Sequence, residues 1–168
     1  MKSRIAYAGH FVLECIKEDG TLRWREEIHN IVVDVGLDEI LDKFWKGSSY
    51  TASFFVGLTD GTPTVAAGDT MSSHAGWVEV TIYSESVRQT LTLGTVASQS
   101  VDNSASKASF SINATGTVGG AFITTNNTKG GTTGILISVA VFAEGDRAVL
   151  NNDVVNVQYT STAADDGV

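Results

Sequence analysis

The sequence predicts a mainly β protein: a β-sandwich of jelly-roll type with about nine short strands and one early α-helix. Three observations carry this expectation. Short runs of alternating or unbroken apolar residues recur along the whole chain, each bounded by Gly, Asn, Asp or Ser clusters. Only one stretch has helical period, so a βαβ repeat is excluded. Hydrophobic residues make up 42% of the chain and charged residues only 18%, while Ser, Thr, Asn and Gly are abundant. That is the balance of strands whose exposed faces carry small hydroxyl groups.

The first element is a hairpin. In "HFVLECIKEDGTLRWREEI", His10 to Ile28, two alternating runs flank Glu18-Asp19-Gly20, and Asp-Gly between such runs is a strong turn signal. The helix follows in "NIVVDVGLDEILDKFWKGSS". Leu37, Ile40, Leu41, Phe44 and Trp45 share one helical face. Asp34 is the expected N-cap, Asp38 and Glu39 suit the positive end of the dipole, Lys43 and Lys46 the other, and Gly47 the left-handed closing position. Strands are then expected at Ser53–Leu58, Trp77–Tyr83, Arg88–Leu93, Ala108–Ile112, Ala121–Thr125, Ile135–Phe142 and Val154–Thr160. The last but one, "ILISVAVF", is almost unbrokenly apolar, as in a strand covered on both faces, with the helix as one cover. The connections Gly94–Lys107 and Asn126–Gly134 are long and polar, so their order is expected to depend on a neighbour. At 168 residues the chain is read as a single domain, 1–168, with its N-terminal hairpin at about 4–28 and a loose or partner-bound tail at about 162–168.

Composition narrows the function classes. A net charge of −8 opposes attraction to phosphate backbones, and the eleven Lys and Arg residues are scattered. Nucleic acid is not an expected partner, and Arg23-Trp24-Arg25 reads as one strand with Trp24 facing away from its neighbours. No apolar run approaches a membrane span, and the N-terminus has no stretch long enough for a signal peptide. The lone Cys15 allows no intramolecular disulfide and no zinc site by itself. The sequons at Asn113 and Asn126 are read as coincidence in a Thr-rich chain.

The stretch "FFVGLTDGTPTVAAGDTMSSHAGWV", Phe54–Val78, is where chemistry is first sought. Ser72 or Ser73 beside His74, with Asp60 or Asp69, contains the residue types of a hydrolytic triad. Neighbouring side chains point in different directions, however, and no strand-turn-helix nucleophile elbow is present; Asp69 is read as a turn former. His10, His29 and His74 lie in separate segments without metal-ligand spacing. Asp146, Asn151, Asn152 and Asp153 lack the calcium-loop pattern. "KGGTTG" has its lysine before the glycines and a strand after them, the reverse of a phosphate loop. Glu26-Glu27 and Asp165-Asp166 are adjacent pairs and suggest no glycosidase geometry. The expectation is a protein without catalytic residues, cofactor or metal.

The landmarks "VGLDEILD", "VGLTDGTP", "GDTMSSHAGW" and "FSINATGTVGGAF" leading to "NTKGGTTG" give a further indication. Over roughly Ile31 to Thr162 the chain resembles a group of tailed-bacteriophage virion proteins that includes capsid decoration, or cement, proteins. The resemblance implies a small β-rich protein made in the host bacterial cytoplasm and assembled in many copies on the capsid surface. It would bind the major capsid protein, make self-contacts or a homo-oligomer, and strengthen the head. The candidate contact residues are Pro63, Thr64, Met71, His74 and Trp77 in the long loop, Lys129 in the glycine-rich loop, and Arg4 near the N-terminus. Alternatives are a tail or fibre component with a host-surface binding role, and a carbohydrate-active sandwich domain using Asp60, Asp69 or His74.

Overall fold

The computed structural model describes residues 5–50, 53–62 and 64–165; Arg4 and Pro63 lie outside the described residues. The chain is mainly β, and every strand pairing is antiparallel. One sheet is built from β1 (Ile5–Ile16), β2 (Leu22–His29), β7 (Ser100–Asp102), β8 (Ala108–Ser111) and β13 (Val154–Asp165), with β1 between β2 and β13. The second runs β3 (Ile31–Val32), β11 (Leu136–Val141), β10 (Gly120–Thr124), β4 (Phe55–Asp60), β5 (Val78–Val80), and β6 (Gln89–Thr90) also pairs with β4. A small ribbon joins β9 (Gly116–Val118) to β12 (Arg147–Val149).

All nine expected strands have a counterpart. Four more, β3, β7, β9 and β12, are two or three residues long, too short to leave a periodic signal. The hairpin turns at Lys17–Thr21, where Gly20 has a φ of +81° and the Asp19 carboxylate accepts from the Thr21 amide at 2.9 Å. Thr162–Asp165, expected to belong to a loose tail, are strand: they continue β13 against Ala8–Ile5 of β1.

The core between the two sheets follows from strand period. Phe11, Leu13 and Cys15 of β1 and Val155, Val157 and Tyr159 of β13 point inward as every second residue. They meet Val56 and Leu58 of β4, Ala121 and Ile123 of β10 and Ala140 of β11 in one buried cluster. Phe11 packs on Tyr159 at a ring separation of 4.7 Å, and Tyr83 packs edge-on to Phe110 at 5.0 Å. On the far side of the second sheet lies a smaller cluster of Val33, Met71, Trp77, Phe122, Leu136 and Val139. This second cover explains why β11 is apolar nearly throughout. It also explains Gly57: the Phe122 ring lies against its backbone, where a β-carbon would collide.

The helix departs from expectation. α1 spans Asp34–Ile40 and opens into a π-helical turn at Leu41–Trp45, with Lys46 N–H donating to Leu41 O. Asp34 is the first helical residue, not the cap; Val33 holds the cap position without a side-chain bond, and Asp34 N–H donates to Ala67 O at 2.8 Å. Gly47 has the expected left-handed φ, +71°. The residue that seats the helix is Gly36, buried against the Ile137 backbone of β11. Leu41, Phe44 and Trp45, grouped on one face by helical spacing, are 53%, 75% and 68% exposed.

Since a β-carbon at position 36 would overlap the Ile137 carbonyl, Gly36→Val lifts α1 from β11. A loss of about 1–3 kcal/mol is expected for such overpacking, read as a lowered midpoint in denaturant unfolding; Gly47→Asn, at a solvent-facing turn, is the tolerant control.

Candidate interaction surface

Residues 61–77, the long loop between β4 and β5, are held from within. Thr64 N–H donates to Gly76 O at 2.8 Å, closing the loop across its base. Asp69 accepts from Ala66 N–H and from the Trp77 indole N–H, both at 3.1 Å. It is a turn former as expected, though it binds the chain before it as well as after. The His74 ring stacks on Trp77 with centroids 3.8 Å apart and 19° between planes, and its Nδ1 donates to Trp77 O at 3.0 Å.

Met71 and Trp77 are 1% and 3% exposed, so these two candidate contact residues are a correction: their side chains fasten the loop to Phe122 and Val139 and have no surface to offer a partner. Thr64 stays exposed and His74 half-exposed. The triad residues do not converge. Ser72 Oγ lies 3.2 Å from Thr70 Oγ1, His74 Nδ1 is taken by the Trp77 carbonyl, and Asp60 accepts from Thr117 Oγ1.

Lys129 is half-buried, and its amine is engaged within the chain. Its Nζ donates to Tyr83 O at 2.9 Å and Glu85 O at 2.7 Å and sits 4.4 Å from the Tyr83 ring centre. The glycine-rich loop around it is ordered by a group that sequence reading passed over, Arg88. This guanidinium is fully buried and forms a fork on Glu79, with Nε to Oε1 at 2.9 Å and an NH2 to Oε2 at 2.7 Å. It also donates to Asn126 O at 2.8 Å and Gly131 O at 2.6 Å, and stacks 5.2 Å from the Phe122 ring centre. Four of the five N–H groups of the guanidinium thus have acceptors. No local spacing signals it, because Glu79 and Arg88 meet only through β5 and the loop after it.

A second buried carboxylate, Asp153, accepts from Arg23 at 2.7 and 3.1 Å, from Leu150 N–H at 2.8 Å and, weakly, from the Cys15 thiol at 3.5 Å. Burial opposes ionisation of Asp153, but the Arg23 and Leu150 hydrogen bonds outweigh it and hold the acid below the usual carboxylate range. Burial beside Asp153 pushes the Cys15 thiol up to about 12, so it is unreactive at neutral pH.

A prominent surface feature is the end of the helix. Leu41, Phe44, Trp45 and Tyr50 are all more than half exposed, and the Phe44 and Trp45 rings meet edge-on at 5.3 Å. Phe44 and Tyr50 border an open groove of about 420 Å³ lined also by Ile40, Phe54, Thr125 and Ile137 and by Glu39 and Lys43. The charges around it are mutually paired: Lys43 with Glu39 and Asp42, Lys46 with Asp42 at 3.1 Å. Exposed aromatic anchors beside a preformed apolar hollow, rimmed by neutralised charge, are the make-up of a protein-binding hot spot. Helical period grouped Leu41, Phe44 and Trp45 on one face, and the structure turns them to the surface. Among the described residues no group of three or more His, Cys, Asp or Glu is placed to hold a metal ion, and no helix is long and apolar enough to cross a membrane.

Comparison of the chain with protein-family models, with characterised proteins and with solved structures finds no match.

Two outcomes are expected. Glu79→Gln leaves the Arg88 charge buried without its counter-ion and costs about 3–5 kcal/mol, measured by denaturant unfolding, with the 126–134 amides losing protection in hydrogen exchange. For Asp153 the folded-state pKa is depressed, so its contribution is present above the unfolded carboxylate pKa and is lost as pH falls through the lower, folded value. Asp153→Asn therefore lowers thermal stability at pH 7 and flattens the decline on acidification; equal slopes for the two proteins would contradict the assignment.

Proposed function

We propose that the chain is a non-enzymatic structural protein of a tailed-phage virion that binds the capsid exterior, with the major capsid protein as partner, and stabilises the head as a decoration protein. In this reading the two antiparallel sheets form a jelly-roll-type sandwich, and the protein is made in the host cytoplasm and makes self-contacts on the shell. The observation that carries the proposal is the aromatic patch of Phe44, Trp45 and Tyr50 beside its groove, set on a sheet that is packed on both faces. A rigid body with an apolar anchor surface is suited to docking, since little conformational freedom is lost on binding. The landmark strings from "VGLDEILD" to "NTKGGTTG" support the choice of a virion partner, and "VGLDEILD" runs from α1 into its π-helical turn. Stabilisation follows from mass action: a protein that binds only the assembled shell shifts the equilibrium toward it.

Quantitative mass spectrometry of purified particles tests the location. An abundance comparable with that of the major capsid protein is the expected result; the far lower abundance of a tail component would favour a tail or fibre role. The patch is tested with the double variant Phe44→Ser/Trp45→Ser. Its thermal midpoint should stay close to wild type, as both side chains are exposed, while binding to undecorated shells weakens by about thirtyfold or more, the loss of a hot spot worth about 2 kcal/mol. Unchanged shell binding would remove the patch from the interface.

A further inference from the structure

The β1–β13 ladder outruns the sheet that contains it. β2 accompanies β1 only from His10 onward, and β7 reaches β13 only as far as Thr162, with one further bond from Ala163 N–H to Gln99 O. Beyond those points Ile5–Ala8 and Ala163–Asp165 continue as a two-stranded ribbon. Among the described residues no strand pairs with the outer edge of Ile5–Ala8, so its outward N–H and C=O groups have no protein partner there. A two-stranded ribbon is marginal by itself in water, and a third or fourth strand is what stabilises it.

Free edges are normally blunted by a charge, a proline, a bulge or a covering loop. Among the described residues this edge has no charge, proline or bulge, and the segment that comes near it is β3, which follows Asn30, whose N–H donates to Gly9 O. Ile5-Ala6-Tyr7-Ala8 carries no charge and no proline, its pairing with β13 is in unbroken register, and Ile5 is 60% exposed. The chemistry of an open backbone edge selects one kind of ligand, an extended strand. The side chains narrow that further. Strand period places Ile5 and Tyr7 on one face, with Ala6 and Ala8 on the other.

We propose that this edge pairs with the same edge of a second copy, antiparallel about a two-fold axis at Ala6, so that the two ribbons become one four-stranded sheet, β13-β1-β1-β13. This deepens the self-contact part of the preceding reading and rests on it only for its setting on the shell. The register puts Ala6 opposite the partner's Ala6 and Ile5 opposite the partner's Tyr7, twice. Aromatic and β-branched residues facing each other across strands are a favourable pair, and face identity is conserved because the register shifts by an even number of residues. No like charges oppose one another within Ile5–Ala8, so the chain's net −8 has no local representative at the seam. The contact is isologous and closed, which limits it to a dimer.

Sedimentation velocity over a concentration series on the full chain is the test, with three variants. Wild type should show a concentration-dependent dimer. Ile5→Glu, an exposed position, should lose the dimer and keep its thermal midpoint. Ala6→Cys, at the axis, should form a reducible covalent dimer under mild oxidation, whereas wild type, with only the buried Cys15, should not. Ala8→Cys, four residues from its own copy across the axis, lies beyond disulfide reach and should not cross-link. A monomeric wild type, a dimer that survives Ile5→Glu, or cross-linking through Ala8→Cys in place of Ala6→Cys would each overturn the proposal. None of these outcomes depends on particle copy number, so the self-association and the capsid role stand or fall separately.

Discussion

The ladder between β1 and β13 is the interaction on which the rest of the molecule depends. It joins the two ends of the chain in an unbroken register from Ile5 opposite Asp165 to Ile16 opposite Val154. Its inward side chains, Phe11, Leu13, Cys15, Val155, Val157 and Tyr159, form one wall of the main core. β2 joins β1 as a local hairpin, while β7 and β8 complete the sheet by pairing with β13. Contacts of such sequence separation are formed only after a large loop-closure cost, so this topology favours slow, cooperative folding over assembly from local pieces.

The second sheet depends on the first for one face and on loops for the other. Residues 61–77 and the start of α1 cover Phe122, Leu136 and Val139 with Met71, Trp77 and Val33. Polar locks then keep these connections in place. Arg88 gathers β5 and the glycine-rich loop around one buried guanidinium, and Asn103, 1% exposed, accepts from Tyr159 N–H at 2.6 Å and donates to Val157 O, pinning the 94–107 connection to β13. The neighbour on which those long loops depend for order is thus found within the chain. Such groups specify a single arrangement, since each is costly to leave unpaired in a low-dielectric interior.

Because the loops are occupied with structure, the sites for recognition move elsewhere. Two of the places where apolar side chains remain at the surface are the end of the helix, with Phe44, Trp45 and nearby Tyr50, and the ribbon, with Ile5. The first is a side-chain surface with a hollow; the second is a backbone edge. They differ in the chemistry they present, and the proposed place on a shell would use both.

The sequence by itself determined the β class, the opening hairpin with its Asp19-Gly20 turn, the inward alternation of β1 and β13, and the near-continuous burial of β11. These are local patterns, set by strand period and turn chemistry, and they survive in any tertiary context. It also marked Leu41, Phe44 and Trp45 as a group, through their helical spacing, and singled out the 61–77 loop. Only the tertiary structure decided which way these features face. A helix seated by Gly36 on the Ile137 backbone turns its large apolar residues outward, and period reports that residues share a face without reporting what the face meets. Met71, Trp77 and Lys129 looked like loop contacts because loops are usually exposed, but Phe122 and the Tyr83 and Glu85 carbonyls wait for them. The Arg88–Glu79 and Arg23–Asp153 pairs, which join distant segments across strands, follow from packing and leave no periodic trace in the sequence.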